Sequence, residues 1–228
     1  MYYRNRPIGI IGALSSETEL LISKLSNIKK THMVGTTYYS GDIGGKPVIV
    51  VTCGMGKVNA ACITQAMIQE FQVSAVINSG IAGGIQDGIK PCDIVISKDL
   101  VYHDFFTDED VFKPFTADDK LINLAQNACK ELSKVKNFSY FTGRIATGDQ
   151  FIIEQSSKDR IKSECNPLCV EMEGGAIAHC CGMNDVPFVV IRAISDSADD
   201  DAVMTFYEFK EAASNISASI VLDMLKNL

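Results

Sequence analysis

Two glutamates interrupt the otherwise apolar stretch VEMEGGAIAH at residues 170–179. A single residue separates Glu171 from Glu173, so an extended chain places both side chains on the same face. Burial of an unpaired carboxylate costs several kcal/mol, so each side chain requires a cation, hydrogen-bond donors or a ligand. The pair is therefore a candidate for acid–base chemistry as well as for a structural ion pair.

Two further carboxylates follow strand-like runs. Glu17 falls in the first turn of a predicted helix, behind a serine that could cap it, where its charge could simply complement the helix dipole. Asp196 follows the run PFVVIRAIS, where it could bond loop amides while Arg192 pairs with a buried carboxylate. Carboxylates in one cleft repel unless a ligand or cation engages them. A shared cleft for Glu17, Glu173 and Asp196 would therefore indicate a reaction site.

Strands alternating with helices must position these side chains. Short β-branched runs predict strands at 7–14, 36–43, 46–53, 74–80, 93–102, 139–147, 167–172 and 187–195. Amphipathic runs predict helices at 16–25, 57–71, 118–132, 156–161, 174–183 and 204–225. The alternation predicts an α/β layer fold with a largely parallel sheet, and the hairpin-like segment 36–53 adds antiparallel pairing. Ligands bind such sheets beyond the carboxyl ends of the strands.

Composition narrows the class of protein. The 228 residues, 46% apolar and 21% charged, predict a single globular domain over residues 1–228. A net charge of −7 and scattered basic residues argue against a nucleic-acid partner. We expect the eight cysteines to be reduced core residues, and three distant histidines predict no metal site. With neither a signal peptide nor a membrane span in the pattern, we expect a cytoplasmic protein with no membrane partner.

Two glycine-rich turns could be taken for phosphate-binding loops. CGMGKVNAA at 53–61 lacks the spacing of a P-loop, and Asn59 stands where a dinucleotide fingerprint requires its third glycine. NSGIAGGI at 78–85 permits a tight turn or close backbone approach to a ligand. Neither turn supports a dinucleotide-dependent oxidoreductase.

Four motifs together carry a resemblance to a known family. They are IGIIGALSSE at 8–17, SGIAGG at 79–84, ATGDQFI at 146–152, and VEMEGGAIAHCC at 170–181 followed by PFVVIRAISDSAD at 187–199. In this order they resemble the nucleoside phosphorylase and hydrolase superfamily, most closely its 5′-methylthioadenosine/S-adenosylhomocysteine nucleosidase branch. The resemblance extends over nearly the whole chain.

The resemblance implies a three-layer sandwich around a mixed, largely parallel central sheet, in a homodimer that needs neither metal nor organic cofactor. The implied reaction is hydrolysis of the bond between adenine and ribose in a small-molecule nucleoside. Glu17 would activate water, Glu173 would hold the ribose hydroxyls, and Asp196 would protonate adenine. Substrate contacts are implied for Phe151 on the purine, the backbone of Ile152, Met172 on the sugar, Phe206 near the 5′ substituent, and Ile81, Ser195 and Arg192.

Water is favoured over phosphate as the nucleophile. Phosphorylases of this superfamily bring arginines to phosphate after the first strand and in the glycine loop of the fourth. This chain has no arginine in GALSSETELL and has Asn78 at the second place, which leaves Arg192 nearby. Phosphate, a dianion, normally receives several charge-assisted hydrogen bonds, and a single guanidinium supplies too few of them.

Three departures from the family pattern leave the 5′ preference open. Ile81 replaces a serine, and Leu14 replaces a methionine. Segment 102–120 is shorter than the family loop and lacks its Gly-Gln-x-Pro-Gly stretch; Phe105, Phe106, Phe112 and Phe115 could supply apolar walls there or could serve core or dimer packing. The alternatives are another nucleosidase, such as an aminofutalosine type, a phosphorylase, and a nucleoside-binding protein without turnover.

Overall fold

A computed structural model describes residues 6–105, 113–198 and 202–228. Its strands are β1 (Ile8–Gly12), β2 (Ser26–Met33), β3 (Thr36–Ile43), β4 (Lys46–Thr52), β5 (Ala75–Gly84), β6 (Ile94–Tyr102), β7 (Phe115–Thr116), β8 (Tyr140–Thr147), β9 (Cys169–Glu171) and β10 (Phe188–Asp196). Its helices are α1 (Ser15–Ser23), α2 (Lys57–Phe71), α3 (Asp119–Leu132), α4 (Gln155–Cys165), α5 (Gly174–Met183) and α6 (Ala202–Lys226).

One mixed sheet contains all of these strands. The strands β4, β1, β5 and β10 run parallel to one another, and β3 and β2 extend the sheet antiparallel beyond β4. Because β5 pairs with both β9 and β10, the strands β5, β10, β6, β8 and β9 close into a ring. The predicted α/β fold with a mixed central sheet is confirmed.

Helices cover the sheet in two groups. The helices α1, α3 and α6 pack together, and α6 lies against β5 and β10; α2 packs on α5, which contacts β6 and β8. Every residue of β1 and of β10 is buried, which explains why these strands are apolar almost throughout. Gly54 and Gly56 have positive φ angles of 82° and 95°, so the turn into α2 requires glycine there.

Two strands, β2 and β7, were not predicted from the sequence. Strand β2 reads SNIKKTHM and is largely exposed at the sheet edge, so it lacks the apolar alternation by which strands are recognised. Strand β7 has only two residues. The predicted serine cap of α1 is wrong, because the helix begins at Ser15 and Leu14 is its N-cap residue.

All eight cysteines are unpaired and six are buried, Cys62 and Cys92 being the others. Within the described residues, no helix is both long and apolar enough to cross a membrane.

Candidate active site

A cavity of about 470 Å³ opens where β1 and β10 end, beside the last residues of β5 and the short β9. Eight of the predicted site residues lie on its wall: Glu17, Ile81, Phe151, Met172, Glu173, Ser195, Asp196 and Phe206. The structure thus brings the three predicted catalytic carboxylates to one cavity, although more than 150 positions separate Glu17 from the other two. Its size suits a nucleoside-sized ligand.

Glu17 links the end of β1 to β5. Its Oε2 accepts hydrogen bonds from the amides of Ala13 at 2.6 Å and Leu14 at 2.9 Å, and its Oε1 accepts one from Ile81 at 2.9 Å. Burial raises the pKa of Glu17, although Arg192 and these amides act in the opposite direction. The carboxylate both caps α1 and faces the cavity, so its helix-end role and a chemical role are compatible.

The buried carboxylate of Glu171, in the stretch VEMEGG, accepts hydrogen bonds from four donors. Its Oε2 accepts from the guanidinium of Arg192 and from the amides of Glu173 at 3.0 Å and Gly174 at 2.6 Å. Its Oε1 accepts from the hydroxyl of Thr147. Glu171 is thus a compensated structural carboxylate, and its paired oxygens also hold the first turn of α5.

Arg192, which is predicted to contact the substrate, is not among the residues that line the cavity. Its side chain is fully buried and does not reach the cavity wall, because Nη2 is engaged by Glu171 and by Asn78 Oδ1 at 2.7 Å. Glu173 Oε2 lies 3.5 Å from the same nitrogen. Among the described residues, Nε and Nη1 have no hydrogen-bond acceptor.

Gly80 lets Arg192 approach Glu17. A Cβ added to Gly80 would collide with Nη1 of Arg192 and would lie 2.7 Å from Oε1 of Glu17. Nη1 and Oε1 therefore flank the same point of β5. Position 80, the first glycine of NSGIAGGI, therefore has no room for a side chain, which explains the glycine there.

Glu173 is the N-cap residue of α5. Its Oε1 accepts from the amide of Gly56 at 2.9 Å, at the turn into α2. Burial raises the pKa of Glu173 to about 7, with Arg192 lowering it and Glu171 raising it further. A carboxyl with a pKa near 7 can change protonation in the neutral range.

A bulge at Ser195 sets the direction of Asp196. The register between β10 and β5 shifts between Ile194 and Asp196, where one extra residue re-aims the side chain that follows. Ser195 Oγ donates to Oδ2 of Asp196 at 2.7 Å, and the amide of Ala198 donates to Oδ1 at 2.9 Å. Asp196 is almost fully buried and lies on the cavity wall.

Aromatic side chains form the other part of the cavity wall. Phe206 makes edge-to-face contacts with Phe151 and with Tyr207, each at a centroid distance of 5.5 Å. Ile152 is buried in a small apolar cluster next to this wall and does not line the cavity, so a contact through its backbone stays a prediction. An apolar wall facing buried carboxylates suits a ligand with an apolar end and a polar end.

The aromatic residues of segment 102–120 lie elsewhere. Phe105 contacts Tyr102, and Phe115 stacks on His179 of α5 with ring centroids 4.7 Å apart. Neither lines the cavity of this chain, whereas Phe106 and Phe112 lie outside the described residues. Of the two roles left open for Phe105 and Phe115, their contacts within the chain are those of packing, and neither contributes to the cavity wall.

Sequence reasoning missed several residues of the cavity wall. Met55 projects from the turn CGMGKV, and Val203 and Tyr207 come from α6 on either side of Phe206. The spacing of Val203 and Tyr207, four residues apart, could have indicated one helix face. Nothing local marked Met55, because its position depends on how α2 packs.

Comparisons with known proteins place this geometry in a family. A family model described as the phosphorylase superfamily matches residues 7–226. The chain is 40% identical to the 5′-methylthioadenosine/S-adenosylhomocysteine nucleosidase of Halalkalibacterium halodurans, over 97% of this chain and 98% of that protein.

Solved structures give the same result. The crystal structure of the 5′-methylthioadenosine/S-adenosylhomocysteine nucleosidase of Colwellia psychrerythraea in complex with adenine has a TM-score of 0.94 and 36% identity, and covers 100% of this chain and 98% of that one. The native structure of the futalosine hydrolase of Helicobacter pylori has a TM-score of 0.91 and 31% identity, with 98% of each chain covered. The similarity is end to end in both cases.

Proposed function

The chain belongs to the phosphorylase superfamily, and on that premise we propose that it hydrolyses the N-glycosidic bond of 5′-methylthioadenosine or S-adenosylhomocysteine, releasing adenine and the 5′-thioribose. One structural observation supports this proposal independently of the similarity to known proteins. Glu17, Glu173 and Asp196 are buried together on one cavity of about 470 Å³ that also has an aromatic wall.

The proposed chemistry divides the work between two carboxyl groups. Cleavage moves the electrons of the glycosidic bond onto adenine and leaves positive charge on the ribose. Asp196 donates a proton to the free nitrogen of the five-membered ring of adenine, which makes the base a better leaving group. Glu17 takes a proton from the water that attacks the anomeric carbon, so that the proton lost to adenine is matched by one gained from water.

Glu173 and Arg192 support these two steps in different ways. Glu173 accepts hydrogen bonds from the ribose hydroxyls, which strengthen as charge develops on the sugar. Arg192 does not touch the nucleoside; its Nη1 lies beside Glu17 across Gly80, where it favours the ionised, basic form of that carboxyl. We therefore assign Arg192 to positioning the base and its water rather than to substrate binding.

The remaining wall residues fit the parts of a thioether nucleoside. Phe151 stacks on the purine beside the backbone of Ile152, and Met172 packs on the sugar. Phe206 borders the 5′ substituent, Ser195 orients Asp196 through its 2.7 Å hydrogen bond, and the amide of Ile81 holds Glu17. Because Ile81 acts through its backbone, the loss of the family serine leaves this bond intact.

Water is supported over phosphate by the charges on the wall. No lysine or arginine of the described residues lines the cavity, while four carboxylates do: Glu17, Glu171, Glu173 and Asp196. Asn78, which stands where phosphorylases have an arginine, is fully buried and bonds Arg192 and the carbonyl of Ile11. A dianion would enter an acidic site without a cation to receive it.

Adenine release measured with and without inorganic phosphate tests the proposal. We expect the chain to release adenine from methylthioadenosine at the same rate in both conditions, and the Asp196→Asn variant to bind this nucleoside while losing nearly all turnover. Dependence on phosphate would establish a phosphorylase, and binding without release would establish a nucleoside-binding protein. Release from aminofutalosine alone would favour the second candidate, to which the futalosine hydrolase similarity points.

We also propose that two copies associate through α2 and α5. The apolar face around these helices forms a depression of about 660 Å³, bordered by Val34, Val58, Ala61, Ala66 and Met183. Val34, Val58 and Met183 are 54%, 73% and 77% exposed around this one depression, and a contiguous exposed apolar patch is typical of an interaction site. A second copy is the occupant that the family resemblance implies.

Sedimentation equilibrium tests the homodimer. We expect the chain to sediment as a dimer and a Val58→Glu, Met183→Glu double variant as a folded monomer, because charges would then face each other across the interface. A monomer of the unchanged chain at all concentrations would refute this assignment. The eight unpaired cysteines agree with a reducing compartment, and we propose the cytoplasm.

A further inference from the structure

An ion-paired cluster lies at the edge of the apolar depression, where its Lys57 is one of the lining residues. Lys57 Nζ contacts Oδ1 of Asp104 at 2.5 Å and Oδ2 of Asp149 at 3.7 Å. The amide of Lys57 donates to Asp149 Oδ1 at 2.8 Å, and the amide of Asp149 donates to Asp104 Oδ2 at 2.7 Å. We call Lys57, Asp104 and Asp149 the Lys57 junction; none of the three lines the cavity.

The Lys57 junction ties together three segments that are distant in sequence. Lys57 is the first residue of α2, Asp104 follows β6, and Asp149 follows β8. Two of these segments lead directly to the cavity wall, since Met55 precedes Lys57 by two residues and Phe151 follows Asp149 by two. The junction therefore connects the two segments that carry these wall residues.

The residue before Lys57 donates a hydrogen bond to Glu173. Gly56, next to Lys57, donates its amide to Oε1 of Glu173 at 2.9 Å. Gly56 has a positive φ of 95°, and a Cβ on it would lie 3.2 Å from Oδ1 of Asp149. The next amide along the chain, that of Lys57, donates to Oδ1 of Asp149, so adjacent amides of this turn bind Glu173 and Asp149.

The positive charge of Lys57 compensates the two carboxylates of the junction. Its side chain is 19% exposed and that of Asp104 is 20% exposed, so this ion pair is better shielded than a surface pair. Burial raises the pKa of Asp104, but the hydrogen bonds from Lys57 and the Asp149 amide outweigh it and the pKa lies below its usual value. Without Lys57, the carboxylates of Asp104 and Asp149 would repel each other at the segments they join.

We propose that Lys57 is a positioning residue for the active cavity: by holding Asp104 and Asp149 together, it keeps the Gly56 amide on Glu173 and the Phe151 loop in its binding position. The inference rests on the proposed nucleosidase function. Lys57 itself touches neither the nucleoside nor the attacking water.

Steady-state kinetics with methylthioadenosine test this role in Lys57→Met, which keeps most of the aliphatic stem and removes the charge. We expect kcat/KM to fall by about tenfold to a hundredfold, as small misplacements of reacting groups do, mainly through a higher KM because Phe151 and Glu173 both contact the substrate. Lys57→Arg should recover most of the loss. Lys134→Met, which breaks an exposed ion pair with Glu131 of 2.6 Å, should leave the kinetics unchanged.

The pH profile separates positioning from a general loss of stability. The charged groups around Glu173 are Arg192, Glu171 and Glu17, and the Gly56 amide lowers its pKa. Loosening this amide should move the Glu173 limb of kcat/KM upward by about half a pH unit in Lys57→Met. A through-space charge effect would move the limb down in Asp104→Asn, whereas loss of positioning moves it up in both variants.

The outcomes separate the two proposals. No adenine release by the unchanged chain would overturn the nucleosidase function and this inference with it. Normal release by the unchanged chain, with KM and pH profile unaltered in Lys57→Met or in Asp104→Asn, would overturn this inference alone. If Lys57→Met does not fold, Asp104→Asn carries the test, since it weakens the same junction and keeps the lysine.

Discussion

Replacing Arg192 with methionine would leave the buried Glu171 carboxylate without the guanidinium that now contacts it. Arg192 is completely buried, and Glu171 is nearly as deeply buried. Removing one partner of a buried ion pair destabilises a protein by roughly 3–5 kcal/mol, because the remaining charge is uncompensated. The hydroxyl of Thr147 and two amides still reach Glu171, so we expect the lower half of this range.

The loss should grow with pH. Arg192 lowers the pKa of Glu17 and of Glu173, whose pKa values burial raises above the ordinary 4.5. A carboxyl with a raised pKa in the folded state contributes stability that is fully present below its unfolded pKa and is lost as pH rises through its folded pKa. For Glu173 this window runs from 4.5 to about 7 in the unchanged chain and extends higher in Arg192→Met. The variant should therefore be closer to the unchanged chain at pH 5 than at pH 8.

Urea unfolding followed by far-UV circular dichroism, at one protomer concentration, measures these differences. The double variant Arg192→Met, Glu171→Gln should recover much of the stability, since it removes the uncompensated charge. Lys134→Met, which breaks an exposed pair with Glu131, should change the free energy of unfolding by less than about 1 kcal/mol. A loss of that small size in Arg192→Met, or no recovery in the double variant, would refute the argument.

Two further predictions concern the cavity. Gly80→Ala should reduce adenine release by about a hundredfold or more, because its Cβ would displace Arg192 and Glu17; Gly84→Ala on the same strand, whose Cβ would meet its nearest atoms at 3.5 Å, should stay within a few-fold of the unchanged chain, and equal activity of the two would contradict the packing argument. The kcat/KM of the unchanged chain should rise with pH through about 7 as Glu173 ionises, and Glu173→Gln should lose this limb; a limb that persists in the variant belongs to another group.

Local patterns decided the secondary structure well. Strands such as β3 and helices such as α2 and α5 have the predicted bounds, because the apolar period of an element is set by residues close in sequence. Strand β2 was missed because its pairing with β3, rather than apolar burial, stabilises it. The motifs also indicated which carboxylates belong together, since strand ends meet at one edge of a sheet.

Tertiary structure decided what each charged group does. The sequence contains Glu171, Glu173 and Arg192, but their roles depend on pairings between β9, β10 and the turn before α2. The pairing of β10 with β5 sets Arg192 opposite Gly80 and beside Glu17. The ends of β6 and β8 bring Asp104 and Asp149 to Lys57. Ion pairs and hydrogen bonds between distant segments form only after the backbone has brought their atoms within about 3 Å, so no local pattern records them.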